Sequence, residues 1–474
     1  MVFSSQIFIF IFLPLSLLGY FILRKEIRNV FLLLISFLFY AWAGPKLLTV
    51  LFVSIALNYF CGLLIQIISK KQPSFRQLAV IIAVLLNLGL LGYFKYFNFF
   101  IGIFNHLTRL NLPQREIALP LGISFFTFSG ISYILDVNAE KIEAEKNPLH
   151  FALFMAFFPK LLQGPIARYE DIAPNIKNQK VTIDHFADGI SRFIIGLAKK
   201  VLIADQLSTV VNQIYGVPAL NNLASVAWLG AISYTLQIYF DFSGYTDMAI
   251  GIGKMFGFEI PENFDYPYIS HSIGEFWRRW HITLSSWFRD YVFYPLEFKR
   301  RKVKKLRVET DTLIVFFLTG LWHGASFNFI LWGLWHGSIN ALENFVKSKK
   351  LKLKLPEYIR WLITMLVVII GWVLFRSPNL PYAWQYLKIM FGLIKPIVTS
   401  NNLTWYLNAK IATILAIGAV VCVPWRKVFP TTARKYEGTN VQTMFQLINL
   451  TFLLVLSLIY VISSSYNSFI YFKF

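Results

Sequence analysis

The sequence predicts an all-α protein that crosses a membrane many times. Hydrophobic residues occupy 56% of its 474 positions and charged residues only 15%, which is too little charge to cover a water-soluble domain of this size. Apolar runs of about 18 residues or more recur along the whole chain, and such runs are typical of membrane-spanning helices. Because no long polar segment separates them, we expect one membrane domain over residues 1–474.

The formal net charge of +21 indicates membrane topology rather than binding to nucleic acid. The basic residues lie in short runs between apolar segments, as they do in cytoplasmic loops. Cys61 and Cys422 lie in separate apolar segments, so the sequence predicts neither a disulfide framework nor a cysteine-based metal site. The histidine spacing is unlike that of a zinc site, and no glycine motif for a nucleotide occurs. We therefore expect no bound metal or cofactor.

The amino-terminal part of the chain predicts apolar helices that alternate with basic loops. Arg24, Lys25 and Arg28 follow the first apolar run, and Lys70 and Lys71 follow the third. Since basic residues favour the cytoplasmic side, we expect the amino terminus outside. Spans are predicted at about 6–23, 30–43, 47–68, 78–97 and 120–136, with an interfacial piece at 93–104 and a kinked or re-entrant element at 151–166.

The carboxyl-terminal part continues this pattern on either side of one polar segment. Residues 261–307 are mostly polar and end in the most basic run of the chain, at 299–307, so we expect this segment in the cytoplasm. The whole chain is then predicted to have about 11 to 13 membrane segments, some of them re-entrant or interfacial. The later spans are predicted at about 190–204, 224–240, 242–258, from 313 onward, and at 361–375, 384–397, 411–423 and 445–462.

Two acidic residues, Asp241 and Asp247, lie where two of these predicted spans join. Carboxylates at membrane depth usually face a cavity or a partner, so both are candidates for polar groups in a tunnel. The alternative is that they cap helices beside Gly244.

His323 is the strongest candidate for chemistry. It lies about ten residues into a helix that begins near Leu313, and a rise of about 1.5 Å per residue places it roughly 15 Å deep, near mid-bilayer. A buried neutral imidazole can accept a proton from a hydroxyl group near neutral pH. The alternative is a structural histidine that is hydrogen-bonded between helices.

Two further histidines lie in similar tryptophan-rich surroundings. His336 belongs to a second Trp-His-Gly motif, but on a continuous helix it points roughly 220° away from His323, so we predict a structural role. His281 follows Trp280 in a segment rich in arginine. It could position a substrate or stabilise developing charge, or the segment could simply anchor the chain at the membrane interface.

Three motifs in this region resemble the signature of the membrane-bound O-acyltransferase family. They read Phe-Trp-Arg-Arg-Trp-His-Ile-Thr-Leu-Ser at 276–285, Trp-Phe-Arg-Asp-Tyr at 287–291 and Gly-Leu-Trp-His-Gly at 320–324. The resemblance is closest to the bacterial branch that O-acetylates alginate, and it extends over nearly the whole chain. Supporting stretches occur at 2–5, 39–42, 158–166, 239–245 and 264–268.

The resemblance implies a helical bundle with a central tunnel between the cytoplasm and the outer face. It implies His323 as the catalytic histidine and His281 as its companion. An acyl group would enter from a cytoplasmic thioester, with acetyl-CoA as the expected donor, and leave on a hydroxyl group outside. The phosphates of coenzyme A would be attracted by the basic run at 299–307 and by three arginines, Arg278, Arg279 and Arg289. The alternative for the basic residues is that their charge only sets the membrane topology.

The last six residues, 469–474, resemble a terminal aromatic hexapeptide of bacterial family members or of their small partners. The tyrosine of that hexapeptide is proposed to receive the acyl group and relay it outward, which makes Tyr471 a candidate acyl acceptor. The alternative is an aromatic belt at the membrane interface.

Taken with the resemblance, these features predict a multi-pass protein of the bacterial inner membrane, in contact with lipid, that passes acetyl groups toward an extracytoplasmic polysaccharide such as alginate. A separate extracytoplasmic acetyltransferase of the SGNH type, or another polysaccharide-modifying partner, is expected to complete the transfer. One alternative is transfer of D-alanine from an acyl carrier to teichoic acid. An alternative of another class is a proton-coupled transporter or flippase, in which His323, Asp241 and Asp247 relay protons.

Overall fold

The structure, a computed structural model, describes residues 1–42, 44–303, 306–350, 355–397, 402–425, 439–463 and 469. Over these residues the chain is helical without β-strands, which confirms the predicted all-α class. Short π-helical turns at Phe8–Phe12, Gly92–Tyr96, Lys199–Ala204 and Arg289–Phe293, and 3-10 turns at Pro73–Phe75, Ala219–Asn221 and Pro267–Ile269, adjoin the α-helices. The α-helices are α1 (Leu13–Ile22), α2 (Lys25–Ala41), α3 (Pro45–Lys71), α4 (Arg76–Leu91), α5 (Phe97–Thr108), α6 (Ile123–Asn138), α7 (Pro148–Ala156), α8 (Phe158–Leu161), α9 (Tyr169–Lys177), α10 (Ile183–Ala198), α11 (Asp205–Tyr215), α12 (Ala224–Met255), α13 (Ile273–Arg279), α14 (Ile282–Phe288), α15 (Tyr294–Lys299), α16 (Arg307–His323), α17 (Phe327–Ser348), α18 (Glu357–Arg376), α19 (Leu380–Met390), α20 (Leu403–Tyr406), α21 (Ala409–Val421) and α22 (Asn440–Ser463).

Four helical stretches in the described part of the chain are long and apolar enough to cross a membrane. They are Pro45–Lys70, Pro73–Thr108, Glu357–Arg376 and Asn440–Ser463, and shorter apolar helices lie at Phe8–Ile22 and Ala409–Val421. These helices agree with a polytopic membrane protein. Several other predicted spans form helices with mostly buried side chains, α6 among them.

The described residues group into two compact units. One contains residues 1–193 and 245–262, and the other contains residues 194–244 and 263–474. Helices α10 and α12 contribute residues to both units, and the expectation of a single domain stays a prediction.

The first unit packs around aromatic rings and buried amides. Phe3 contacts the rings of Phe8 and Phe39 at 4.9 and 5.6 Å between centroids. Between α3 and α4, the side chains of Asn58 and Asn87 exchange two hydrogen bonds of 3.0 Å. Because both amides are buried, this reciprocal pairing satisfies groups that would otherwise destabilise an apolar interior.

The second unit contains the helical hairpin of α16 and α17, which carries His323. Two glycines allow these helices to approach closely. A methyl group at Gly320 would overlap the carbonyl oxygen of Phe329, and one at Gly333 would overlap that of Phe316. Small residues at a helix crossing are typical of tightly packed helices in membrane proteins.

The hairpin corrects one prediction about His323. The sequence predicted a helix that starts near Leu313 and continues past His323, but α16 starts at Arg307 and His323 is its last residue. Gly324 is extended, and the Ser326 side chain accepts a hydrogen bond from the backbone N–H of Asn328 at the start of α17. Because serine is a favoured helix cap, the chain turns here, and the predicted angle between His323 and His336 does not apply.

Helix α12 corrects a second prediction. The two spans predicted at 224–240 and 242–258 form one continuous helix. Asp241 and Asp247 therefore lie inside a helix, and the alternative that they cap helix ends beside Gly244 is wrong. Each carboxylate has a cationic partner. Asp247 pairs with Arg192 of α10, and Asp241 pairs with Lys200 in the π-helical turn that follows α10. Because these cations compensate the buried charges, both acids can lie inside a continuous helix.

Candidate active site

His281 is held at the junction of α13 and α14 by a short stretch of backbone pairing. Phe264 forms an antiparallel bridge with Trp280, and the N–H of Ile282 donates to the carbonyl of Asn263 at 2.9 Å. These contacts place Asn263 beside His281, which adopts a left-handed backbone conformation with φ of 44°. Such a conformation is uncommon for a residue with a side chain and is often found at functional sites.

Asn263 determines which nitrogen of His281 carries the proton. Its Oδ1 accepts hydrogen bonds from the backbone N–H and the Oγ1 hydroxyl of Thr283, at 3.2 and 2.9 Å. These two bonds fix the orientation of the amide, and the same oxygen lies 3.1 Å from the Nδ1 of His281. An amide oxygen can only accept a hydrogen bond, so the Nδ1 of His281 donates and its Nε2 carries the lone pair. Burial lowers the pKa of His281, which keeps the ring neutral, so Nε2 can act as a hydrogen-bond acceptor.

His323 lies among aromatic side chains at the end of α16. Its side chain is buried, with 3% exposed, and its ring lies 4.9 Å from Trp322, 4.8 Å from Trp332 and 5.3 Å from Phe375 between centroids. The ring of His281 contacts Trp322 as well, at 6.0 Å. The structure therefore brings the two predicted histidines to a common neighbour, although they are distant in sequence.

A cavity of about 580 Å³ lies against the same face of α16. Thr312, Phe316 and Thr319 line it, and His323 follows Thr319 by one helical turn. Eleven residues at about 100° each bring His323 to within roughly 20° of the direction of Thr312. The cavity wall therefore leads along one face of the helix toward His323, about 6 Å beyond Thr319 along the axis.

The three predicted donor-binding arginines differ in their surroundings. Arg278 and Arg289 line the cavity, and Arg289 also forms an ion pair with Asp290 at 2.7 Å. Arg279 does not line it, because its guanidinium binds Glu275 at 3.0 Å and Asp265 at 2.9 Å. Two neighbouring arginines thus face different partners, one toward the cavity and one toward carboxylates.

Polar side chains that the sequence analysis did not single out also line the cavity. Lys347 adds a third cation near the end of α17, and hydroxyl and amide groups come from α14 and α17. Apart from Ser285, which ends the motif at 276–285, these residues belong to no motif. The sequence signal of the α17 residues is the helical spacing of Asn340, Asn344 and Lys347 along one face. The hydroxyl groups from α14 are those of Ser285 and Ser286.

The basic run at 299–307 is only partly available for binding an anion. Arg300 forms an ion pair with Asp311, which is fully buried, and Arg307 pairs with Glu297 at 3.0 Å. These two arginines stabilise the connection between α15 and α16. Lys304 and Lys305 lie outside the described residues. The exposed members of the run are Lys299, Arg301 and Lys302.

The structure gives the two acidic candidates of α12 separate partners. Lys200 donates to Asp241 at 2.7 Å and to Asp205 at 2.6 Å, while Asp247 belongs to the other unit and pairs with Arg192 at 2.7 Å. The Lys200 ammonium also lies 4.3 Å from the ring centroid of Phe469. Tyr471, the predicted acyl acceptor, lies outside the described residues.

Comparisons with known proteins agree with this chemistry. The model of the membrane-bound O-acyltransferase family matches residues 37–384. A probable alginate O-acetylase of Pseudomonas aeruginosa is 42% identical over 396 residues, covering 83% of this chain and 75% of the relative. A peptidoglycan O-acetyltransferase of Helicobacter pylori is 37% identical, covering 83% and 80%. A teichoic acid D-alanyltransferase of Bacillus subtilis is 33% identical, covering 54% and 67%.

The matched residues include both histidine motifs and the hairpin that carries His323. The resemblance predicted from those motifs is confirmed. The chain therefore belongs to the membrane-bound O-acyltransferase family and is a membrane-embedded acyltransferase.

Proposed function

We propose that the chain transfers an acetyl group from cytoplasmic acetyl-CoA toward hydroxyl groups of an extracytoplasmic polysaccharide. The observation that carries this proposal is the cavity along α16, which has cations at its wall and whose lining face continues to His323. A coenzyme A thioester has the complementary form, with phosphates at one end and the reactive carbonyl at the other.

The donor would bind with its phosphates near the cations and its acyl end near His323. Arg278, Arg289 and Lys347 supply charge-assisted hydrogen bonds for phosphate oxygens. Asn340 and Asn344 offer amides that match the amide groups of the pantetheine arm. The apolar rings of the cavity wall would exclude water from the thioester, which limits its hydrolysis.

In the transfer step, the Nε2 or Nδ1 of His323 takes the proton of the acceptor hydroxyl as its oxygen attacks the thioester carbonyl. The new C–O bond forms and the C–S bond breaks. The imidazolium then gives its proton to the departing thiolate, so that the products are an ester and a free thiol. His281, whose Nε2 carries a lone pair and whose ring also contacts Trp322, would orient the acceptor hydroxyl.

The acceptor class is suggested by the relatives, which include an alginate O-acetylase and a peptidoglycan O-acetyltransferase. We propose an alginate-like polysaccharide outside the bacterial inner membrane. A partner of the SGNH acetyltransferase type would complete the transfer, and Tyr471 would carry the acyl group to it. A tunnel across the membrane bundle would let the acyl group pass while the donor stays in the cytoplasm.

Replacement of His323 by Ala tests the proposal. Loss of the proposed general base is expected to reduce acetyl transfer by about 10²- to 10⁴-fold. Inverted membrane vesicles supplied with radiolabelled acetyl-CoA would report label in the polymer fraction, in the presence of the extracytoplasmic partner. Matched amounts of folded protein, verified by gel filtration in detergent, are the control. Full transfer by the variant would contradict the role of His323.

The same vesicles distinguish the donor. A D-alanyl carrier thioester, the donor of the alternative reaction, is offered in parallel with acetyl-CoA. Transfer from acetyl-CoA alone supports the proposal. Transfer from the carrier alone would replace it with D-alanylation, which is the activity in the name of one relative.

Replacement of Tyr471 by Phe tests the relay. The change removes one hydroxyl group and keeps the aromatic ring, so an anchoring role would survive it whereas an acyl-accepting role would not. We expect loss of polymer acetylation and of any acylated form of the intact chain detected by mass spectrometry. Normal polymer acetylation would show that the terminal tyrosine is only an anchor.

A further inference from the structure

His336, in the second Trp-His-Gly motif, has no part in the reaction proposed above. It lies on α17 and is fully buried. Its ring stacks on Phe276, with centroids 6.2 Å apart and planes 11° apart. It meets two indoles at steep angles, Trp277 at 5.4 Å and 85°, and Trp332 at 5.4 Å and 71°. Trp372 of α18 also lies 6.4 Å away between centroids, so the imidazole is enclosed by aromatic rings from three helices.

A polar ring in this position needs an explanation. Within the described residues, neither nitrogen of His336 has a hydrogen-bonding partner. The ring is accommodated by Gly371 of α18, where an added methyl group would overlap Nε2 and lie 3.1 Å from Cε1. A phenylalanine would fill similar space without burying two polar atoms, so an imidazole here is more costly than packing alone requires.

Two of the three indoles around His336 connect the cavity along α16, here called the donor cavity, with the proposed base His323. Trp277 lines the cavity. Trp332 contacts the ring of His323 at 4.8 Å. His336 thus touches one indole that shapes the cavity wall and another that packs on His323.

We propose that His336 is a positioning residue, whose imidazole holds Trp277 and Trp332 and thereby fixes the ring of His323 relative to the bound donor. Edge-to-face geometry allows an imidazole N–H to meet the electron-rich face of an indole, which a phenylalanine cannot reproduce with equal strength. The proposal rests on His323 acting as the base, and it assigns His336 no contact with the reacting atoms.

The first test is His336→Phe, measured as kcat and KM for acetyl-CoA together with the thermal midpoint of the purified protein. Loss of one weak N–H to π contact, the most that a neutral imidazole can donate, predicts a fall in kcat of about 2- to 5-fold, with KM and the midpoint close to wild type. Wild-type kcat in this variant would overturn the proposal, because the ring would then only fill space.

Gly371→Ala is the second test, and it changes neither the substrate site nor a histidine. The added methyl group should displace the His336 ring and lower kcat as His336→Phe does. In a His336→Ala background the same methyl group enters vacated space, so Gly371→Ala should cause no further fall. Equal effects of Gly371→Ala in both backgrounds would overturn the proposal, because coupled neighbours give non-additive changes.

Near-ultraviolet circular dichroism supplies a readout that does not depend on activity. Altered indole packing should change this spectrum in His336→Phe and in Gly371→Ala, and an unchanged spectrum in both would overturn the proposal. His323→Ala distinguishes failure of the proposed function from failure of the proposed role of His336. If His323→Ala keeps full activity, the proposed function fails, whereas an inactive His323→Ala beside a fully active His336→Phe contradicts only the role of His336.

Discussion

Two buried polar regions of the second unit differ in how their groups are satisfied. Around Lys200, a cation with 1% of its side chain exposed binds the carboxylates of Asp241 and Asp205. Around His323 and His281, imidazoles lie among indole and phenyl rings. A buried charge that is paired on two sides is held in one ionisation state. A neutral imidazole among aromatic rings can gain and lose a proton, as acyl transfer requires.

A charged residue at membrane depth therefore does not by itself indicate the catalytic site of this protein. Asp241 and Asp247 satisfy the expectation that intramembrane acids have partners, but those partners are cations that neutralise them. We interpret both ion pairs as contributions to stability. Activity is assigned to the histidines, and variants that separate stability from activity can break or sharpen this division.

The largest expected effect is on stability, in Lys200→Met. The change leaves the buried carboxylate of Asp241 and the partly buried carboxylate of Asp205 without this cation, and loss of one partner from a buried ion pair costs about 3 to 5 kcal/mol. Thermal unfolding of the detergent-solubilised protein should show a large drop in midpoint. Lys200→Met combined with Asp241→Leu should recover part of the loss. If Lys200→Met instead abolishes activity at an unchanged midpoint, the assignment of this region to stability is wrong.

A smaller effect, this time on activity, is expected for Asn263→Leu. The variant keeps the side-chain shape but removes the oxygen that binds the Nδ1 of His281. A buried donor without its acceptor costs about 1 to 3 kcal/mol. If this whole cost raises the activation free energy, kcat should fall by about 5- to 150-fold. Thr283→Val is the matched control, since it removes another hydrogen bond to the same oxygen. Equal kcat values for the two variants would contradict the positioning of His281 by Asn263.

The smallest effect is expected at the donor cavity, in Arg278→Ala. This exposed arginine lines the cavity, and the loss of one solvent-screened charge should raise KM for acetyl-CoA by no more than about fivefold. Arg279→Ala provides the comparison, because Arg279 pairs with Glu275 and Asp265 and should affect stability rather than KM. A larger rise in KM for Arg279→Ala than for Arg278→Ala would reverse the assignment of the two arginines.

The helical membrane class could be predicted from the sequence because long apolar runs report burial away from water. The boundaries of individual helices could not be predicted from the sequence, because a helix buried inside the protein and a helix that spans the membrane have similar apolar compositions. One example is α12, which the sequence divided at Asp241. Lys200, the cationic partner of Asp241, is 41 residues away in the chain, so the sequence around Asp241 does not indicate this ion pair.

The candidate site was predicted unevenly for the same reason. His323 and His281 belong to recognisable sequence motifs, whereas Asn263 belongs to none. Backbone pairing between Phe264 and Trp280 brings Asn263 close enough for its side chain to contact His281. Arg278 and Arg279 are indistinguishable as neighbours in the sequence. Adjacent positions on a helix point about 100° apart, so the fold directs one toward a cavity and the other toward two carboxylates.

By itself, the sequence determined that this chain is a helical membrane protein and that its histidine motifs are those of an acyltransferase, since composition and residue type are local properties. Tertiary structure alone decided the helix break after His323, the proton position on His281, the cavity along α16 and the enclosure of His336. Each of these depends on contacts between residues far apart in the chain, and such contacts exist only after the helices have packed.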